Sequence, residues 1–255
     1  MIQKIYRSKF DIENLSRLRT CISSDIDTFN YKGIVVNKPW GYEYLIFENA
    51  YVAIWVLFLK YNHGTSMHCH PTKKTSLLVL SGKVNCSTLD GWIERKEGEG
   101  LLIDEAVFHS SKAISKSGAL IMEVESPPNK KDLVRLKDGY GREKQGYEGM
   151  DKMSQEFEKY DYFDFHNEDF KKRCTKELKK FSISIFSHMN PEDINTLLAE
   201  EKGHIICILQ GKLHDANGNV LLSTGESEVL ENLLKTKAVA FGDITCLTIE
   251  YKNKK

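Results

Sequence analysis

Two histidines two positions apart, His68 and His70, are the residues of this chain with the clearest chemical potential. In a β-strand the side chains at i and i+2 project from the same face, so two such imidazoles can bind one metal ion. His109 follows a glycine, a strand-like run and a turn-like break at 104–106, and it can reach the same ion from a neighbouring strand. The spacing predicts a three-histidine site for a divalent transition metal such as Zn, Fe, Mn or Ni. The alternative is that each imidazole is a structural side chain.

The segments around these histidines are typical of β-strands. Short apolar runs rich in β-branched residues occupy 51–60, 75–89, 99–104 and 118–125, and each is closed by Gly, Pro, Asn or Asp. Strands that recur at this spacing indicate a β-sandwich or a barrel, so we predict an all-β fold.

The run HIICILQGKLH (204–214) repeats the pattern of TSLLVLSGKVN (75–85), in which a strand meets a glycine turn, a basic residue and another strand. We therefore interpret the C-terminal part of the chain as a smaller copy of the main β unit. The predicted regions are an N-terminal arm with one helix (1–30), the main β domain (31–145), a connector with a helix at 151–160 (146–180) and the smaller copy (181–255).

Composition excludes several classes of partner. Thirty-six basic residues balance 36 acidic ones, which gives no reason to expect a nucleic acid or an anionic membrane surface. The longest apolar run, 51–59, is less than half the length that a bilayer requires. The six cysteines form no CxxC pair, which is typical of thiols in a reducing compartment, and we expect a cytoplasmic protein.

The two histidine segments resemble the paired motifs of the cupin superfamily. The first motif is a glycine, HxH, a glutamate five residues on and a closing glycine; here Thr75 stands where that glutamate is expected. The second motif runs from a glycine through Pro-x-Gly to a histidine; here Asp104 and Ala106 replace the proline and glycine. The resemblance implies a cupin barrel for the main domain, with a degenerate second cupin after the connector, and it implies metal binding by His68, His70 and His109.

Two further segments narrow the resemblance to the cupin domain of type II mannose-6-phosphate isomerases. NKPWGYEYLI (37–46) is similar to that family's opening PWG-aromatic-Glu motif, and MEVESPPNKKDLVRLKDGYGR (122–142) is similar to its closing signature. The four segments together cover about residues 35–142. The chain departs from the family at Thr75, at Lys73 where an arginine is usual, and at Lys137 where the residue is usually acidic.

The resemblance also implies roles for individual residues. Glu123 and Glu125 share one face of a predicted strand that lines the site in the similar family, and Glu125 is the predicted general base. Arg142, Arg135 and Lys73 are the predicted groups for a sugar phosphate, with Arg142 and Lys73 also acting in catalysis. The alternatives are solvent-facing carboxylates and surface ion pairs.

The sequence favours a metal-dependent enzyme that acts on a small sugar phosphate or nucleotide sugar, as an isomerase or epimerase in surface-polysaccharide synthesis. A three-histidine iron dioxygenase is one alternative, although it would not need the closing signature with its arginine. A non-catalytic sugar- or nucleotide-binding cupin is the other, favoured by the missing glutamate. A second copy of the chain is a further expected partner, because the smaller copy can pack on the main barrel or form a dimer face.

Overall fold

Strands make up most of the regular structure, as the sequence predicts. The computed structural model describes residues 1–18, 28–142, 147–188, 198–199 and 204–252. The named helices are α1 (Lys9–Arg17) and α2 (Leu230–Leu234), and no helix of the described residues is long and apolar enough to cross a membrane. The chain divides into a larger unit, Gln3–Asp164, and a smaller one made of Met1–Ile2 and Phe165–Lys255.

The larger unit is built from two antiparallel sheets. Its strands are β1 (Ile2–Ile5), β2 (Val35–Lys38), β3 (Gly41–Glu48), β4 (Ala53–Leu59), β5 (Met67–Cys69), β6 (Lys74–Ser81), β7 (Lys83–Thr88), β8 (Gly91–Lys96), β9 (Gly100–Ile103), β10 (His109–Ala113), β11 (Ala119–Ser126), β12 (Val134–Lys137) and β13 (Met153–Ser154). One sheet has the order β1-β9-β6-β11-β4-β3-β2-β13 and the other has the order β12-β5-β10-β7-β8. Strands that follow one another along the chain alternate repeatedly between the sheets, as in the double-stranded β-helix of cupins.

The space between the two sheets is apolar at one end and charged at the other. Alternate residues of a strand face the same side, so Ala119 and Ile121 of β11 place Glu123 and Glu125 in the same interior. The first two belong to a buried cluster that draws on both sheets, with Leu57 from β4 and Val84 from β7. Glu123 and Glu125 continue this face of β11 beyond the apolar core. The two carboxylates form part of the wall of the candidate site.

Helix α1 covers the outer side of the five-stranded sheet. Its first turn is fixed by a capping box, in which the Ser8 and Asp11 side chains each bond the other residue's backbone N–H. Leu15 and Leu18 then pack on a buried cluster that contains Cys69 and Phe108. The predicted arm therefore contributes strand β1 and helix α1, and its remaining residues 19–27 lie outside the described residues.

Residues 151–160, where we predicted a helix, contain short 3-10 turns at Met150–Lys152 and Phe157–Lys159 rather than an α-helix. Strand β13 follows the first turn and pairs with β2. Aromatic contacts explain the extended path: the ring of Tyr160 packs edge-on against Tyr42, and the hydroxyl of Tyr44 donates a hydrogen bond to the carbonyl of Asp161 (2.6 Å). These tertiary contacts prevail over the local helical preference.

The smaller unit repeats the strand order of the larger one. Its strands are β14 (Cys174–Glu177), β15 (Phe181–His188), β16 (Ile205–Gln210), β17 (Lys212–His214), β18 (Val220–Ser223), β19 (Ser227–Val229), β20 (Val239–Ala240) and β21 (Ile244–Tyr251). Their orders, β14-β15-β21-β16-β19 and β18-β17-β20, correspond to β3-β4-β11-β6-β9 and β8-β7-β10.

Two glycines support the same correspondence. Gly82 and Gly211 follow β6 and β16, and their φ angles are +83° and +94°. A Cβ atom would lie 2.7 Å from the carbonyl oxygen of Gly118 at the first position, and 2.7 Å from that of Asp243 at the second. Both turns therefore require glycine for the same two reasons, a left-handed backbone and a close approach to the next strand.

Candidate metal centre and its cavity

The structure brings His68, His70 and His109 together in the larger unit. His68 on β5 and His109 on β10 are direct partners across two antiparallel strands, and His70 follows β5 immediately. The ring centroids are 4.6 Å apart for His68 and His109, 5.1 Å for His68 and His70, and 5.5 Å for His70 and His109. One nitrogen from each ring lies within 4.8 Å of the other two, and all three side chains are buried.

Hydrogen bonds fix the tautomer of each imidazole. The three Nδ1 atoms lie 2.8, 2.6 and 2.9 Å from the backbone carbonyl oxygens of Ser66, Asp132 and Val107 for His68, His70 and His109 respectively. A carbonyl oxygen only accepts, so each Nδ1 carries the proton and each Nε2 keeps its lone pair. The Nε2 atoms of His70 and His109 are buried and have no hydrogen-bond partner.

These residues fit a divalent transition metal. Burial is the main cause that lowers the pKa of His68, His70 and His109, and it keeps the rings in the neutral form that binds metals. Metal-binding histidines usually donate their other ring N–H to a carbonyl or carboxylate, as all three do here. Thr75 supplies no carboxylate, and its buried hydroxyl has no hydrogen-bond partner.

A cavity of about 490 Å³, including its open mouth, adjoins the histidines. Five basic and three acidic side chains line it together with His68 and His70: Lys38, Lys73, Lys130, Arg135 and Arg142, and Glu43, Glu123 and Glu125. Asp138 and Glu148, which pair with Arg142 and Lys38, balance this excess, so a net positive charge would come with a bound divalent cation. The cavity is therefore suited to a small anionic ligand.

The Glu125 carboxylate, predicted as the general base, is engaged by a lysine. Oε2 of Glu125 lies 2.9 Å from Nζ of Lys73, and the two side chains are 2% and 0% exposed. The approach lacks hydrogen-bond directionality, so the contact is an electrostatic pair. A second ammonium, Lys130, lies 3.9 Å from Oε1. The structure thus places Lys73 and Glu125 side by side in the cavity wall.

A second charged group surrounds Glu43 of β3. Lys130 and Lys38 lie 3.2 and 3.4 Å from Oε1 of Glu43, and the hydroxyl of Tyr147 donates a hydrogen bond to it. Burial alone would raise the pKa of Glu43, but the two lysines and this hydrogen bond outweigh it and lower the value to about 2. The Lys130 ammonium also lies 3.6 Å from the ring centroid of Trp55. Glu43 is therefore a permanent anion that holds two cations in place.

Glu123 differs from both of its acidic neighbours. It is buried and lines the cavity, yet none of its oxygens forms a hydrogen bond or an ion pair within the described part of the chain. Burial is the main cause that raises its pKa to about 7, and the neighbouring Glu125 carboxylate adds to the effect. Sequence reasoning placed Glu123 on the correct face but assigned it no role.

The two arginines predicted for phosphate binding also reach the cavity. Arg135 lies on β12, and its Cα is the partner of His68 on β5. Arg142 donates to Asp138 through Nε (2.8 Å) and Nη2 (3.0 Å), and to Glu148 through Nη1 (2.6 Å). Three of its five N–H groups are used in this way, which leaves two for a ligand.

No protein-family model matches the sequence, and no curated protein matches it. Solved structures of cupin and RmlC-like proteins are similar to parts of the chain. A candidate sugar phosphate isomerase of Acidithiobacillus ferrooxidans is 16% identical over 31% of this chain and 51% of its own length, with a TM-score of 0.29. An RmlC-like cupin of Shewanella frigidimarina is 12% identical over 41% and 84% of the two chains, with a TM-score of 0.32.

The capsular polysaccharide assembling protein CapF of Staphylococcus aureus is also similar, with 19% identity over 41% of this chain and 34% of that chain and a TM-score of 0.36. This chain thus spans about half the length of the isomerase candidate and a third of CapF.

Proposed function

We propose that this protein is a metal-dependent cupin enzyme that isomerises or epimerises a sugar phosphate or nucleotide sugar in cytoplasmic surface-carbohydrate synthesis. One observation carries the proposal: three neutral imidazoles present Nε2 atoms beside a cavity whose wall holds five cations and three carboxylates. A cytoplasmic location is supported by the free thiols of all five described cysteines.

Each part of the cavity has a task in this reaction. A divalent metal bound by His68, His70 and His109 would polarise the carbonyl oxygen of the sugar. Arg135 and Arg142 bind the phosphate through guanidinium N–H groups. A carboxylate of β11 takes the proton from the carbon next to the carbonyl. Lys73 holds the side chain of Glu125 in place.

The metal content of the purified protein tests the site. We expect about one equivalent of a divalent transition metal per chain, and loss of most of it in the His68→Ala/His70→Ala double variant. His63→Ala is the control, because that side chain is exposed and bonds only the carbonyl of Tyr61. Less than about a tenth of an equivalent after reconstitution with Zn, Mn, Fe or Ni would contradict the proposal.

Ligand preference tests the substrate class. In a thermal-shift screen, phosphorylated sugars should stabilise the protein more than the same sugars without phosphate. Arg135→Gln and Arg142→Gln should each remove most of that difference, whereas the exposed Arg17→Gln should keep it. Equal binding of both classes by the wild-type protein would exclude the phosphate role of the arginines.

A non-catalytic binding protein is the second candidate, and Thr75 favours it. A carboxylate ligand is missing at that position, so a bound metal would have only the three neutral imidazoles as protein ligands. A protein that binds sugar phosphates and metal but converts none of them would support this candidate. The iron dioxygenase is disfavoured, because oxygen chemistry gives no reason for the five cations of the cavity.

A further inference from the structure

We propose that Glu123 is the catalytic base that moves the substrate proton, and that Glu125, the base expected from the sequence, is instead held in the cavity wall by Lys73. This inference rests on the proposed isomerase function and assigns its proton-transfer step to one residue. Two carboxylates of one strand then have different tasks because their surroundings differ.

The register of β11 defines these surroundings. Glu125 is the partner of Thr75 on β6 and of Ala53 on β4. The Glu125 carboxylate is close enough to the ring of His109 to act on its pKa, so Glu125 lies near the candidate metal centre. Glu123 is two residues away along the strand on the same face, and its partners are Leu77 and Trp55. Apolar side chains therefore flank Glu123, and the cavity lies in front of it.

The three carboxylates of the cavity also differ in their ion pairs. Glu125 is held by Lys73, and Glu43 is held by Lys130, Lys38 and Tyr147. Glu123 has no such partner among the described residues, although all three carboxylates face one cavity. A carboxylate locked to an ammonium is a poor proton acceptor, whereas one that faces only a cavity can meet a substrate hydrogen.

The charged groups that act on Glu123 oppose one another. Glu125 on its own strand and Glu43 on β3 disfavour a further negative charge, while Lys130 and Lys73 favour it. Burial dominates, and the resulting pKa of about 7 lies near the working pH of a general base. Glu123 can therefore both accept and return a proton at neutral pH.

The proton transfer balances within the substrate. Glu123 removes the proton from the carbon next to the aldehyde, and the electron pair of that C–H bond forms a carbon–carbon double bond while the carbonyl pair moves to oxygen. Glu123 then returns the proton to the former carbonyl carbon, and the hydroxyl proton moves between the two sugar oxygens. Nothing is oxidised or reduced overall, so the step needs no other reactant.

Isomerisation of mannose 6-phosphate in D2O by the metal-loaded protein tests the assignment. We expect Glu123→Gln to lower kcat and the incorporation of deuterium at least about 100-fold. The metal content and the thermal shift with mannose 6-phosphate should stay at wild-type values. The wild-type rate should rise with pH through about 7, and Glu123→Gln should lose this dependence. Glu94→Gln, an exposed carboxyl of β8, is the control and should keep the wild-type rate.

The possible failures are distinguishable. A Glu123→Gln variant that keeps more than about a third of the wild-type rate, while Glu125→Gln loses it, would overturn the assignment and leave the isomerase proposal intact. A wild-type protein that binds metal but neither isomerises nor deuterates any sugar phosphate of a panel would overturn the isomerase proposal, and the role of Glu123 with it. Loss of metal in Glu123→Gln would also overturn the assignment, since Glu123 would then support the metal centre.

Discussion

Asp11 of helix α1 accepts a hydrogen bond through Oδ1 from the backbone N–H of Phe108, the residue directly before His109, at 2.9 Å. Its other oxygen accepts from the N–H of Ser8 at 2.8 Å and completes the helix cap. The side chain is only 1% exposed. One carboxylate thus fixes the start of helix α1 and the start of the strand that carries His109, a candidate metal ligand.

Asp11→Ala should destabilise the protein by about 1–3 kcal/mol, because it removes the helix cap and leaves the buried Phe108 N–H without a partner. It should also weaken metal binding, since the start of β10 loses an anchor. Urea unfolding and metal titration measure the two effects. Glu13→Ala in the same helix is exposed and should change stability by less than about 0.5 kcal/mol. Unchanged metal affinity in a destabilised Asp11→Ala protein would show that the helix does not support the site.

The Lys73–Glu125 pair predicts strong coupling between two substitutions. Lys73→Met or Glu125→Gln alone should cost about 3–5 kcal/mol, because each leaves an uncompensated charge in the protein interior. The double variant should cost at least about 2 kcal/mol less than the sum of the single variants, as measured by urea unfolding. The exposed Lys235–Glu231 pair of α2 is the control and should show no measurable coupling. Additive costs at Lys73 and Glu125 would disprove the pairing.

Glu123 predicts a pH dependence of stability with a sign that is unusual for an acid. Its pKa rises from 4.5 to about 7 on folding, so the folded state holds a proton that the unfolded state loses above pH 4.5. Stability is therefore lost as the pH rises through this window, by about 3 kcal/mol in total. Glu123→Gln removes this contribution. The free energy of unfolding of the variant should therefore rise relative to that of the wild-type protein between pH 5 and pH 8. A constant difference in the free energy of unfolding would contradict the raised pKa.

Substitutions at the turn glycines Gly82 and Gly211 test how closely each turn approaches the backbone of a neighbouring segment. Gly218 has a φ of +84° but no atom within 4 Å of a Cβ, so Gly218→Ala should cost only the backbone strain of about 1–2 kcal/mol. Gly82→Ala and Gly211→Ala add a clash with a backbone carbonyl oxygen and should each cost at least about 1 kcal/mol more. Thermal unfolding of the three variants measures the difference. Equal costs would mean that the strands separate easily at these turns.

Much of the fold could be predicted from the sequence because it depends on local patterns. The alternating apolar runs and their glycine stops predict an all-β chain, and the similarity of 75–85 and 204–214 anticipates the repeated strand order. The extended path through Tyr160 could not be predicted in this way, because it depends on contacts with strand β3, more than a hundred residues earlier. Such long-range packing leaves no periodicity in the segment itself.

The candidate site was predictable in its ligands but not in its charge network. The spacing of His68 and His70 already places two imidazoles on one face, and His109, the predicted third imidazole, is the strand partner of His68 in the structure. Lys38 and Glu43 belong to the opening motif and Lys130 to the closing one, so a signal for them existed. Their pairing depends on how three strands and a loop meet, which no single motif specifies. The same holds for the contrast between Glu123 and Glu125, which neighbouring lysines create.

The turn before His109 affects whether proteins with this three-histidine arrangement can be identified from a sequence motif. Ala106 has a φ of +62°, a conformation that favours glycine, and its N–H donates to the carbonyl of His70 at 2.8 Å. The bend that brings His109 to His68 and His70 is thus made by an alanine with a strained, left-handed backbone conformation. A sequence motif that requires glycine at this position would miss this chain, whereas a comparison of backbone conformation would include it.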